Sequence, residues 1–331
     1  MTSAIRAATV QDIPQLVTLL MDDATDRQTT DPVLWRLADD ARDRIAQALS
    51  FALTAEQQPV RQFWLVCERA GGIVGVVHAI MLPVPPIYAG SFGEPGLIMA
   101  DSHTAPDAPA GTEDALVAAA ETVLREAGAK ILLSTYVTGQ VWDRTFAQRG
   151  YAPLTLYLSR TDMGDAGRPQ GLRAATAEDV PGIVAHSAAN RRTLWQIEPF
   201  WEPHTDADAR FGAWMTRSLT LRDRDMLVMG PPDDLAGYAI AQPASRTHFP
   251  SAHDISGTGV IDDFYHLDFA DQDALKNGGA GAVRLLNGAE AAFAARGMGA
   301  AFVVCPAGWT AKIEMLEDAG YSTAMVWSIK R

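Results

Sequence analysis

The sequence predicts an α/β protein built from two copies of one unit, each copy a mixed central sheet flanked by helices. Three observations carry this reading. The opening Ile5-Arg6-Ala7-Ala8-Thr9-Val10-Gln11-Asp12-Ile13-Pro14 returns as Leu172-Arg173-Ala174-Ala175-Thr176-Ala177-Glu178-Asp179-Val180-Pro181. The ending Phe146-Ala147-Gln148-Arg149-Gly150-Tyr151, followed by the strand-like Leu154-Thr155-Leu156-Tyr157-Leu158, returns as Leu316-Glu317-Asp318-Ala319-Gly320-Tyr321, followed by Ala324-Met325-Val326-Trp327. Between these marks the hydrophobic pattern runs through β-α-α-β-β-β-α-β-α-β twice. The polar, glycine-containing stretch 161–170 reads as a linker, so the predicted units are residues 1–160 and 171–331.

The first copy opens with a strand reaching Ala8, after which Thr9 caps a helix over 10–21 with Leu16, Leu19 and Leu20 on one side. A second helix is expected over 32–52. Segments 63–68 and 73–82, rich in Val, Ile and aromatics, form a hairpin around Gly71-Gly72. A strand over 96–101, a helix over 112–126, a strand over 131–137, a helix over 141–148 and a strand over 153–160 complete the copy. In the second copy Thr176 caps a helix towards His186, and another helix spans 206–219. Strands 226–229 and 237–241 form a hairpin, and a long strand covers 259–269. Helix 282–295, strand 300–304, helix 309–318 and strand 323–329 follow.

Composition excludes several classes of function. Of 331 residues, 27 are Lys or Arg and 40 are Asp or Glu, a formal charge of −13 that disfavours long contacts with nucleic acid. Hydrophobic residues at 48% and charged residues at 20% supply a core and argue against disorder. Cys67 and Cys305 cannot build a disulfide framework or a four-thiolate zinc site, and the seven His show no ligand spacing, so no metal is expected. The first residues lack the basic start and apolar run of a signal peptide. The longest apolar stretch, 70–90, is interrupted by His78, Pro83, Pro85 and Pro86 and reads as strands and turns rather than a membrane span. A cytoplasmic monomer or homodimer acting on a small molecule is the expectation.

This order, with Arg before Ala-Thr-x-x-Asp at the start and Gly-Tyr after the last helix, resembles the GCN5-related N-acetyltransferase superfamily, twice over and across nearly the whole chain. The resemblance implies a tandem duplicated acetyltransferase fold, each half with a sheet splayed between its fourth and fifth strands. Acetyl-CoA would lie in that gap, its pyrophosphate on the loop that starts the next helix. The family marks this loop with Gln or Arg, two residues, Gly, one residue, and Gly or Ala, because backbone N–H groups must approach phosphate oxygens unobstructed. Lys276-Asn277-Gly278-Gly279-Ala280-Gly281-Ala282 matches at Gly279 and Gly281, with Lys276 replacing the usual Gln or Arg and keeping a cation there, so the resemblance makes Lys276, Gly278, Gly279, Ala280, Gly281 and Ala282 the expected cofactor-binding residues. The equivalent stretch of the first half carries Glu113 and Asp114, whose charges would repel a pyrophosphate. That half reads as a degenerate copy.

Acetyl transfer to an amine calls for a base, since a free amine is mostly protonated at neutral pH. Strand Ile261-Asp262-Asp263-Phe264-Tyr265-His266-Leu267-Asp268-Phe269 is unusually polar, and simple alternation places Asp262, Phe264, His266 and Asp268 on one face. His266 is the candidate base, with Asp262 either orienting it or serving as the base itself; a structural polar network is the competing reading. The family's usual acid, a Tyr four residues before the terminal Gly, is replaced by Leu316 and Phe146. Acceptor recognition is expected from Trp195, Phe200 and Trp201, which could equally pack the halves together. Cys305 is expected to be a buried, inert thiol. Together with these residues, the resemblance implies an acetyl-CoA-dependent N-acetyltransferase acting on a small amine by direct attack. The alternatives are a non-catalytic CoA-binding or regulatory protein, or other acyl-CoA chemistry.

Overall fold

The computed structural model describes residues 4–163, 167, 169–246, 249–271, 274–275 and 277–331. Both copies of the opening motif fold the same way, and the side chains show why the sequence repeats. Arg6, in strand β1 (Ala4–Ala7), makes a bidentate pair with Asp12 at 2.7 and 2.9 Å, and Arg173, in β8 (Leu172–Ala174), does the same with Asp179 at 2.7 and 2.6 Å. Each Asp also accepts from the backbone N–H and hydroxyl of the preceding Thr, Thr9 or Thr176, which closes a capping box. These bonds hold both carboxyl groups down at about 2. Helices α1 (Ile13–Thr30) and α5 (Val180–Ile197) start from these caps with Pro in the first turn.

Helix α2 (Ala41–Thr54) begins later than the pattern predicts. Asp31 accepts from the N–H groups of Val33 and Leu34, turning the chain so that Leu34 and Trp35 enter the core instead of a helical face. The first half continues with β2 (Gln62–Arg69), β3 (Gly72–Met81), β4 (Gly96–Ile98), β5 (His103–Thr104), α3 (Thr112–Glu126), β6 (Leu132–Val137), α4 (Val141–Gln148) and β7 (Ala152–Arg160). The second contains α6 (Ala207–Ser218), β9 (Asp225–Met229), β10 (Gly237–Pro243), β11 (Thr258–His266), α7 (Ala280–Ala295), β12 (Ala300–Pro306), α8 (Thr310–Asp318) and β13 (Ser322–Lys330).

All strands join one sheet in the order β1-β2-β3-β4-β6-β13-β7-β12-β11-β10-β9-β8, with β5 beside β3. The terminal strands are exchanged. β13 of the second half lies antiparallel between β6 and β7, while β7 of the first half pairs with β12. The core is shared accordingly: Trp35, Leu97 and Leu133 from the first half pack with Phe249, Val260, Phe302 and Trp327 from the second. Loop 82–95 reaches across as well, with Tyr88 bridged to Pro203 and the Ala89 N–H donating to the Glu202 carbonyl at 2.7 Å.

Candidate active site

The parallel pair β11–β12 holds register only from Thr258 opposite Ala300 to Ile261 opposite Val303. Beyond that point β11 stays with β10 and β12 stays with β7, so the sheet opens. At the opening β11 carries a bulge. Ala241 faces Ile261 and Ala239 faces Phe264, leaving Asp262 and Asp263 together opposite Ile240. Strict alternation therefore fails here: the two carboxylates line the same cavity, and His266 does not share a site with Asp262.

That cavity, about 630 Å³, lies where the halves meet. Tyr88 and the proline-rich loop 82–95 form one wall, Asn190 and Arg191 of α5 another, and Phe200, Trp201 and Trp214 a third. Asp263 accepts from the Tyr238 hydroxyl at 2.5 Å and from Ser187 Oγ at 3.2 Å. Buried Arg191 donates to Ser187 Oγ and to Asp208, both at 2.5 Å, and lies over the Phe211 ring. Asp262 lies deep in the fold, is accessible where it faces the cavity, and has no hydrogen-bond partner among the described residues. Burial raises both carboxyl groups above the usual carboxylate range. Phe200 and Trp201 line the cavity. Trp195 does not; it is 46% exposed and outside the lining.

His266 lies behind the cavity, under the start of α7. A Cβ at Gly281 would come within 2.1 Å of its Cε1, so the glycine makes room for the imidazole. Its Nδ1 accepts the Asp268 N–H at 3.0 Å and stands 3.2 Å from Oδ1 of the same residue. Burial lowers its pKa, against the opposing pull of Asp268. Gly279, at φ +53°, turns the chain into the helix in a conformation that suits glycine. The N–H groups of Gly281 and Ala282 both donate to Asp268 Oδ2, at 2.9 and 3.0 Å. The first turn of α7 thus has the donors a phosphate oxygen needs, and an anion from the same chain already holds them. Gly278 and Ala280 lie in the same turn, and Lys276 is outside the described residues. The chemistry of this donor set fits a CoA pyrophosphate, provided the Asp268 carboxylate gives way.

Two further groups were invisible to sequence reasoning. Tyr88 and its loop come from the other half of the chain, and nothing in their pattern points to this cavity. Lys312, on α8 one turn before Leu316, is only 3% exposed and also lines the cavity. Leu316 itself is fully buried in the core, as is Phe146 in its own half. Cys305 is buried and its thiol is pushed up to about 11 by that burial, so it is held in the unreactive protonated form.

In the first half the matching features are tied to other side chains. Glu113 accepts from Thr104 Oγ1 at 2.7 Å and Asp114 pairs with Arg149 at 2.7 Å. Asp101 lies 2.7 Å from His78, and His103 3.4 Å from Asp23. No group of three or more potential metal-ligating side chains is present among the described residues, and no helix among them is long and apolar enough to cross a membrane.

No protein-family model matches the sequence, and no curated protein matches it either. Solved structures do. A GCN5-related N-acetyltransferase from Sphaerobacter thermophilus superposes with a TM-score of 0.58 at 15% identity, covering 99% of this chain and 95% of that one. The chain has the tandem GCN5-related N-acetyltransferase fold. A tandem GNAT protein from the clavulanic acid biosynthesis pathway, solved without AcCoA, covers 99% of this chain and 98% of its own at 14% identity, with a TM-score of 0.51. The sheet opens between β11 and β12 in the second half, and Asp262 and Asp263 stand at the mouth of that opening.

Proposed function

We propose that this protein transfers an acetyl group from acetyl-CoA to a small amphipathic amine held in the cavity between its halves. The observation that carries the reading is Asp262: a carboxylate without a hydrogen-bond partner among the described residues, lifted in pKa by burial, at the opening of the sheet in a cavity that aromatic residues also line. Tyr88, Trp201 and Trp214 suit the apolar body of such an amine, and the carboxylates suit its charged end. Asp262 takes the ammonium proton, the free amine attacks the thioester carbonyl, the C–N bond forms and the C–S bond breaks. Asp263, fixed by Tyr238 and Ser187, holds the bulge in place. Gly281 and Ala282 supply the N–H groups for the pyrophosphate, in exchange for Asp268. The test is release of CoA thiol from acetyl-CoA by purified protein across an amine panel: acceptor-dependent release supports the reading, and its absence for every acceptor sinks it.

A second reading, a protein that binds such amines without acetylating them, is favoured by one contact. The Asp268 carboxylate holds both N–H groups that a pyrophosphate would need. Amine binding by calorimetry with no CoA binding at millimolar concentration would establish it.

A further inference from the structure

Lys312 is a buried cation that the proposed reaction does not yet use, and its surroundings are unusual for a lysine. Its Nζ is 3.5 Å from the Phe264 carbonyl of β11 and 4.6 to 5.1 Å from the ring centres of Phe269, Trp309 and Phe264. No carboxylate forms an ion pair with it among the described residues; the titratable groups that face it are Asp263 from β11 and Cys305 from β12. Its charged form is held by aromatic faces and one carbonyl, which leaves the ammonium protons lightly engaged. The carbonyl it touches belongs to the part of β11 that has parted from β12, inside the gap. Lys312 precedes Leu316 by one helical turn, so both project from the same face of α8. The fold thus places a proton-bearing group in the gap even though the residue at 316 has none.

We propose that Lys312 is the proton donor for the departing thiolate, a catalytic residue of the acyl transfer on which this inference rests. The balance is simple. Asp262 first passes the ammonium proton to water in the cavity; the attacking amine then gives its second proton to Asp262 as the C–N bond forms; the C–S bond breaks with its electron pair on sulfur; sulfur takes one proton from the Lys312 ammonium. The neutral lysine regains its proton from the Asp262 carboxylic acid through water in the cavity before the next turnover. Burial lowers the lysine pKa, which makes the ammonium a stronger acid than a solvated one and brings it closer to the thiol it must protonate.

The test compares two acyl donors: acetyl-CoA, whose thiol has pKa ~8.5, and the acetyl thioester of 4-nitrothiophenol, a far more acidic thiol that departs without a proton. With wild-type protein and its best amine, the acetyl-CoA rate should fall at alkaline pH as Lys312 deprotonates, and the nitrothiophenyl rate should not. Lys312→Met, which keeps the side-chain length and apolar packing, should lower kcat with acetyl-CoA by ~10²-fold or more and leave the nitrothiophenyl rate within a few-fold. Its melting temperature should equal or exceed that of wild type, since an apolar chain replaces a buried charge. An unchanged acetyl-CoA rate in Lys312→Met, or an equal loss with both donors, overturns the assignment while acyl transfer stands. Amine-dependent thiol release from neither donor in wild type overturns acyl transfer itself, and the proton donor with it. Should the variant not fold, the two wild-type pH profiles decide: an alkaline fall with both donors or with neither rejects Lys312.

Discussion

Asp268 accepts the Gly281 N–H at 2.9 Å, and this one bond sets the carboxylate on a donor that we propose serves an acyl-CoA phosphate. With the companion bond from Ala282 at 3.0 Å, the helix start of the second half is satisfied by its own chain. Asp268→Ala removes both the competitor and a negative charge beside the phosphates. CoA affinity measured by calorimetry should rise about 10-fold or more, at a cost of about 1 kcal/mol in helix capping. Equal or weaker CoA binding would show that the carboxylate does not compete with the pyrophosphate.

Asp262 and Asp263 are adjacent and both raised, yet they should respond differently to mutation. Asp262→Asn should lower acetylation by ~10²–10⁴-fold. The wild-type rate should rise with pH through an apparent value above the ordinary carboxylate range, because the base acts when deprotonated. Stability moves the other way. A carboxyl group whose folded pKa is raised destabilises the fold as pH climbs past its unfolded value, so Asp262→Asn should increase the urea midpoint at pH 7. Asp263→Asn should decrease it instead, since Tyr238 and Ser187 depend on that carboxylate.

His253 provides a pH-dependent element of stability far from the cavity. Its Nδ1–H donates to the Trp35 carbonyl at 2.9 Å, and burial depresses its pKa to about 4 from 6.5. The folded state therefore keeps it neutral while the unfolded chain takes up a proton. Stability from this residue is present above pH 6.5 and drains away as pH falls towards 4, by roughly 3 kcal/mol in all. Urea denaturation at pH 7 and pH 4.5 should show a smaller difference for His253→Asn than for wild type. An identical difference would place the acid sensitivity elsewhere.

The exchange of β7 and β13 predicts how the halves behave apart. Residues 1–160 alone leave β7 with neither β12 nor β13 beside it, and residues 171–331 alone leave β13 without β6 and β7. Expressed separately, each should be poorly soluble. Co-expressed, they should purify as one complex. Two independently folded, monomeric halves would contradict the interdependence that the shared sheet implies.

Much of this molecule was legible in one dimension because local signals are short in range. Arg6 with Asp12 and Arg173 with Asp179 are six residues apart, so the caps that start each half show themselves as a repeated decapeptide. The glycines 278, 279 and 281 announced a tight helix entry for the same reason, and apolar periodicity marked the helices and strands. What sequence could not supply was any relation that depends on neighbours far along the chain. Alternation assigned Asp262 to the face of His266, but a bulge set by pairing with β10 turned Asp262 and Asp263 together into the cavity and left His266 behind. The glycine run fixed where an anion would bind, and only the folded loop revealed that Asp268 is the anion bound there. Nothing in the sequence singles out Lys312; Phe264, Phe269 and Trp309 closing over it make it a buried cation in the gap. The sequence by itself determined the duplicated acetyltransferase fold, because each element's period and cap are written within a few residues. Tertiary structure decided the cavity, the exchanged strands and the surroundings of Asp262 and Lys312, because burial and pairing between distant segments set both where a side chain points and how readily it gives up a proton.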